Sequence, residues 1–250
     1  MSKVYAYSES GEVADATAEY IVKAQKEALK NKGVFNVAVS GGSLVKTLRI
    51  GLKDRTDVEW AKWRVYFADE RLVPLDHEDS NYGLLKRELL DHLTGDKPKV
   101  YTINEHKCMN ESSEETAIDY EGTMTETLGA DGVLDLILLG CGPDGHTCSL
   151  FPGHALLQEN SRLVAPIEDS PKPPPRRITI TFPVLEAAKN IAFVAEGSGK
   201  APILKEVFLT PNSSLPAAMV NNIAVRLNVP IAWFVNDAAV EGVNVTTSKF

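Results

Sequence analysis

A histidine set among glycines and beside an aspartate is suited to moving protons. This chain has one in Gly140-Cys141-Gly142-Pro143-Asp144-Gly145-His146, the front of a stretch that ends at Gly153. An unperturbed imidazole titrates near about 6.5, so His146 suits a base at neutral pH. Asp144 can orient the imidazole, stabilise its charge, or hold a substrate hydroxyl. Gly140, Gly142 and Gly145 permit an unusual backbone path around both. A polar turn with a capping Asp and an incidental His would look similar. The glycine density and the second acidic residue favour a site.

Other segments offer anion chemistry. Ser40-Gly41-Gly42-Ser43 lies between an apolar run and a helical pattern. A strand, a glycine turn and a helix leave free N–H groups that attract an anion. Taken alone, the pattern is equally that of a tight turn. Asp69-Glu70-Arg71 places three charges at the expected end of a strand, where ligands of doubly wound sheets bind. Arg176 and Arg177 follow Pro173-Pro174-Pro175, a stiff segment that presents an arginine at low entropic cost. Lys200 follows Gly197-Ser198-Gly199, near the positive end of a helix.

Elements must carry these residues to one place. Apolar residues at Val13, Ala16, Tyr20, Ile21, Ala24 and Ala28 have helical spacing. Val34–Val39 reads as a strand, and Leu44, Leu48 and Leu52 as the helix after it. Arg64–Ala68 and Val100–Ile103 read as strands, with an Asn81–Leu93 helix between them. Ser112-Ser113-Glu114-Glu115 has capping-box form and starts a helix to about Leu128. Val133–Leu139 is apolar enough for a central strand buried on both faces. Ile178–Phe182, Ile191–Ala195 and Ile231–Val235 are further strands. Pro202 sits in the first turn of a helix to Leu209. The rhythm predicts one domain, residues 1–250, with a doubly wound, three-layer α/β/α fold and a mainly parallel Rossmann-like sheet.

Composition narrows the function. The 250 residues carry a formal net charge of −8, a poor match to a nucleic-acid backbone. Cys108, Cys141 and Cys148 form no Cys-x-x-Cys pair, and the other histidines lack metal-ligand spacing, so neither a disulfide framework nor a metal is expected. No signal-peptide pattern or long apolar span occurs, which points to a cytoplasmic protein without a membrane anchor. Gly140, Gly142 and Gly145 match a dinucleotide-binding pattern, but no distinct acidic partner follows about 20 residues later.

Together these segments, with Ser80-Asn81-Tyr82, Thr147-Cys148-Ser149-Leu150-Phe151-Pro152-Gly153 and Ser170–Thr179, resemble the 6-phosphogluconolactonases, fungal members above all. These belong to the superfamily of the glucosamine-6-phosphate deaminases. The resemblance implies a deaminase/ribose-phosphate isomerase-like fold. It also implies metal-free, cofactor-free hydrolysis of 6-phospho-D-glucono-1,5-lactone in the oxidative pentose phosphate pathway. His146 takes the place of the base, with Asp144 beside it. Ser40, Gly41, Gly42, Ser43, Asp69, Glu70, Arg71, Gly145, Arg177 and Lys200 would hold the substrate, with Arg176 the alternative to Arg177. The deaminases carry a glutamate five residues after the loop histidine; here that residue is Phe151. The rival is a non-catalytic paralogue with an interaction or tRNA-related role. The expected partner is a small phosphorylated lactone, with no nucleic acid, and the chain is expected as a monomer or weak homo-oligomer.

Overall fold

Four consecutive apolar residues set the middle of the molecule. Leu136, Ile137, Leu138 and Leu139 are each 0 % exposed. Strand side chains alternate, so Leu136 and Leu138 enter one hydrophobic cluster and Ile137 and Leu139 the other. Truncating Leu138 to alanine would cost about 2–5 kcal/mol.

The structure, a computed structural model, describes residues 1–250. In chain order the elements are β1 (Lys3–Tyr7), α1 (Ser10–Lys32), β2 (Phe35–Val39), α2 (Ser43–Leu52), β3 (Trp63–Phe67), β4 (Asp69–Arg71), α3 (Asn81–Glu88), β5 (Lys99–Val100), α4 (Glu105–Asn110), α5 (Ser113–Leu128), β6 (Leu136–Gly140), β7 (Val164–Ile167), β8 (Arg177–Ile180), α6 (Phe182–Ala187), β9 (Ile191–Ala195), α7 (Ala201–Leu209), α8 (Pro216–Leu227), β10 (Ile231–Asn236) and β11 (Thr247–Ser248).

Eight strands form one parallel sheet in the order β11-β1-β10-β9-β6-β2-β3-β5. α1, α2 and α3 cover one face, and α5 to α8 cover the other. This is the three-layer, mainly parallel α/β/α fold that the sequence predicts. No helix is long and apolar enough to cross a membrane.

The connectivity creates a crevice. From β2 the chain steps outward to β3 and β5, then returns to lay β6 on the other side of β2. Ligands of such sheets bind where the order reverses, beyond the strand carboxyl ends. Val39 pairs with Leu138 there, and the Ser40 N–H donates to the Leu138 carbonyl at 3.0 Å. Ser40 and Gly140 thus leave the sheet side by side.

Three parts of the sequence reading change. Asp69–Arg71 is itself a strand, pairing with β8 in a separate antiparallel sheet ordered β4-β8-β7. Ile178 therefore lies outside the main sheet, and Phe182 begins α6. The α3 helix stops at Glu88 because Leu89 leaves helical geometry. β1, β7, β11, α4, α6 and α8 are further elements that the sequence pattern does not mark. α8 starts at Pro216, but its buried face mixes Ala217, Ala218 and Asn221 with Val220, which blurs an apolar stripe.

Candidate active site

The loop after β6 folds back on itself. Gly142 N–H donates to the His146 carbonyl at 2.8 Å, and Gly145 N–H to the Gly142 carbonyl at 3.0 Å. His146 Nδ1 then lies 2.5 Å from Asp144 Oδ1. Only glycine fits at 142, where a Cβ would meet His146 Nδ1 at 2.0 Å and Asp144 Oδ1 at 2.7 Å.

A third group, Lys172, joins this pair from the segment before β8. Its Nζ is 3.1 Å from Asp144 Oδ1 and 3.0 Å from His146 Nδ1. Nδ1 cannot donate to Asp144 and accept from Lys172 at once. The short Asp144 contact favours Nδ1–H donation, which leaves the Nε2 lone pair free. Burial pushes the His146 pKa down from 6.5; Asp144 opposes this, Lys172 adds to it, and Asp69 opposes it weakly. Burial alone would raise the Asp144 carboxyl, but His146 and Lys172 overcome that and bring it to about 2. The arrangement can hold a neutral imidazole beside an ionised carboxylate.

The β2 turn forms the opposite wall. Ser40 is buried, and its Oγ has no hydrogen-bond partner. At Gly41 a Cβ would lie 1.9 Å from Asn81 Oδ1, so the turn and α3 meet without room for a side chain. Asn81 Nδ2 donates to the Asp69 carbonyl at 2.8 Å and to Asp69 Oδ1 at 3.3 Å. No side chain caps α2; the Val45 N–H donates to the Gly42 carbonyl at 3.2 Å, and the N–H groups of Ser43 and Leu44 remain available to an anion.

β4 sends its side chains alternately to two sides. Asp69 and Arg71 line the cleft, together with Ser40–Ser43, Asn81, Gly140–Gly142, His146–Cys148 and Arg177, around about 150 Å³. Glu70 does not line it. Its carboxylate accepts from the N–H groups of Arg71, Asn81 and Tyr82 at 2.8, 2.7 and 2.9 Å, and from Ser80 Oγ at 3.2 Å. It therefore caps α3, which corrects its expected place at the substrate. Burial pushes its carboxyl up to about 7, against the pull of those N–H donors.

Arg71 and Arg177 stand directly opposite each other across β4 and β8. Like charges so placed repel. Burial first, then Arg71, lowers the Arg177 pKa. Arg71 Nε is buried without a partner. Arg177 makes four hydrogen bonds, to the carbonyls of Lys172, Pro173 and Pro174 and to Ser149 Oγ, so it also fixes the segment that carries Lys172. Ser149 Oγ in turn donates to Asp69 Oδ2 at 2.7 Å.

Besides Glu70, Arg176, Lys200 and Gly145 lie off the cleft, and Asp144 reaches it only through His146. Arg176 binds Ser113 Oγ and the Glu111 carbonyl, beside the start of α5. Lys200 Nζ donates to the Cys141 carbonyl at 2.6 Å and supports the loop from behind. Gly145 turns the loop against Leu215. Lys172 and Ser149 were not singled out from sequence. Lys172 is 26 residues from His146, in a segment whose most evident anion-binding groups are Arg176 and Arg177.

A parallel α/β fold with paired arginines, an uncapped helix start and a carboxylate-bound histidine at its switch point defines a site for a small anionic substrate. The sequence pattern described as "Glucosamine-6-phosphate isomerases/6-phosphogluconolactonase" matches residues 8–228. "6-phosphogluconolactonase 3" of Saccharomyces cerevisiae is 46% identical, covering 99% of this chain and 100% of that one. "6-phosphogluconolactonase" of Rattus norvegicus is 42% identical, covering 97% and 94%. The solved "6-phosphogluconolactonase from Trypanosoma cruzi" superposes with a TM-score of 0.86 at 24% identity, covering 98% of each chain, and speaks for the fold. The chain belongs to the glucosamine-6-phosphate isomerase/6-phosphogluconolactonase family.

Proposed function

We propose that this chain hydrolyses 6-phospho-D-glucono-1,5-lactone to 6-phospho-D-gluconate, a step of the oxidative pentose phosphate pathway. The single observation that carries this reading is the cleft pairing of the Arg71–Arg177 cations with the His146–Asp144 couple. The names of the full-length relatives support the substrate.

The phosphate lies between Arg71, Arg177 and the α2 start, and it relieves the repulsion of the two arginines. Ser40 Oγ and Arg71 Nε, both unpartnered, gain acceptors from it or from the sugar. His146 Nε2 takes a proton from water as the water oxygen attacks the lactone carbonyl. The tetrahedral intermediate collapses with cleavage of the ring C–O bond, and the proton passes from His146 to the leaving ring oxygen. General-base help of this kind contributes about 10²- to 10⁴-fold. Asp144 selects the productive tautomer and balances the imidazolium. Lys172 keeps Asp144 ionised. The steps use no metal or cofactor.

Phe151 supports lactone hydrolysis over amino-sugar isomerisation, because ring opening and proton shuttling need another acid or base. The same reading takes the protein as one cytoplasmic domain, a monomer or weak homo-oligomer. It binds no nucleic acid, in keeping with its −8 charge. The test is lactone hydrolysis in the presence of a chelator. Rates well above spontaneous hydrolysis are expected; rates equal to buffer would defeat the reading.

A further inference from the structure

Phe151 is 1 % exposed and has no polar side-chain atom, yet it contacts two polar groups of the cleft, an imidazole and a guanidinium. Its ring stacks on the His146 imidazole, with centroids 4.8 Å apart and planes at 29°. The Arg177 guanidinium carbon lies 5.6 Å from the same ring centre. A tight turn places it there. Leu150 N–H donates to the Thr147 carbonyl at 3.0 Å, and Cys148 adopts a left-handed φ of 52°. That conformation is strained for a residue with a side chain. Thr147 Oγ1 holds the Gly140 carbonyl at 2.9 Å, and Ser149 N–H holds Thr179 Oγ1 at 3.2 Å. The turn thus folds an aromatic wall back onto the imidazole.

We propose that Phe151 is a positioning residue for His146, fixing the imidazole plane so that Nδ1 stays on Asp144 and Nε2 stays free. The catalytic half of this inference rests on the hydrolytic reading of His146; the geometric half does not. One hydrogen bond fixes a point of the ring and leaves it free to tip. A tipped ring could offer its Nδ1 lone pair to Lys172, already 3.0 Å away. The proton would then sit on Nε2, and no base would face the water. A flat buried partner blocks that motion and excludes water from one imidazole face.

The charged groups around His146 are Asp144 in its own loop, Lys172 before β8, Asp69 on β4, and Arg177 across the Phe151 ring. None of them is removed by changing Phe151. Phe151→Leu keeps most of the volume and loses the flat face. Nitrogen NMR of imidazole-labelled protein reads the tautomer and the titration midpoint, and lactone kinetics read the rate. In the wild type we expect one tautomer, with Nδ1–H, and a midpoint below 6.5. In Phe151→Leu we expect mixed tautomers and a midpoint moved further below 6.5, because the loosened ring loses Asp144, which raises it, and meets Lys172, which lowers it. kcat should fall roughly 10- to 100-fold, with KM held within about twofold. Phe151→Tyr should restore the single tautomer, because it keeps the ring. Leu150→Val, a core change in the same turn, should leave tautomer and midpoint alone. If Phe151→Leu does not fold, Phe151→Met carries the same expectation. A folded variant without the ring that keeps the wild-type tautomer, midpoint and kcat would overturn the proposal. A wild type without lactone hydrolysis would remove the hydrolytic reading instead, and the NMR outcomes would still decide the geometric claim.

Discussion

Lys172 Nζ lies 3.1 Å from Asp144 Oδ1, the same oxygen that meets His146 Nδ1 at 2.5 Å. One carboxylate oxygen therefore couples a cation to an imidazole. Burial does most to keep His146 neutral, and Lys172 adds to it. Lys172→Met removes a positive neighbour, so the His146 pKa should rise. The acidic limb of the kcat/KM profile should move to higher pH. A limb that stays in place or moves down would show that Lys172 does not act on His146.

Arg71 tests binding. Its unpartnered Nε and its position opposite Arg177 give it the strongest reason to hold an anion. A hydrogen bond to a charged group contributes about 1.5–3 kcal/mol. Arg71→Met should raise KM roughly 10- to 150-fold, with a smaller loss in kcat, in steady-state kinetics. An unchanged KM would place the phosphate elsewhere.

Glu70 tests stability rather than chemistry. Glu70→Gln leaves one oxygen where two accept hydrogen bonds at the start of α3. The loss should be about 1–3 kcal/mol, lowering Tm by roughly 2–10 °C. The folded-state pKa is raised from 4.5 to about 7. Stability from the protonated form is therefore complete below 4.5 and is lost as pH rises through about 7. The variant should flatten this part of the Tm-against-pH curve and keep kcat close to wild type. A large fall in kcat at unchanged Tm would return Glu70 to the substrate.

Gly142→Ala puts a methyl group on the imidazole, 2.0 Å from Nδ1 before relaxation. The ring or the loop must move, and misplacement of a catalytic group by about 1 Å can cost 10²-fold. kcat should fall by about that factor, while inorganic phosphate should still inhibit with near wild-type affinity. A wild-type kcat would show that His146 is not held in its working position by this contact.

Much of this site was legible from local chemistry, and the misses share a cause. His146 and Asp144 are two residues apart, so their meeting needed only the right turn. The apolar run before Gly140 marked a buried strand, which placed the loop at the carboxyl edge. Lys172 gave no local sign, because only the fold of the segment before β8 brings it to Asp144. Glu70 departs from its expected place because Asp69–Arg71 is not just the end of a strand but a strand of its own. Read as a strand, its alternation would have separated Glu70 from Asp69 and Arg71. Phe151 was visible as a residue type, but its stacking on His146 depends on the left-handed Cys148, which no sequence pattern announces.

The most direct measurement is the rate of lactone hydrolysis by His146→Ala beside the wild type, with chelator present and spontaneous hydrolysis subtracted. A fall in kcat of about 10²- to 10⁴-fold, with KM changed little, is the predicted result. A folded His146→Ala protein that hydrolyses the lactone at the wild-type rate would contradict the account.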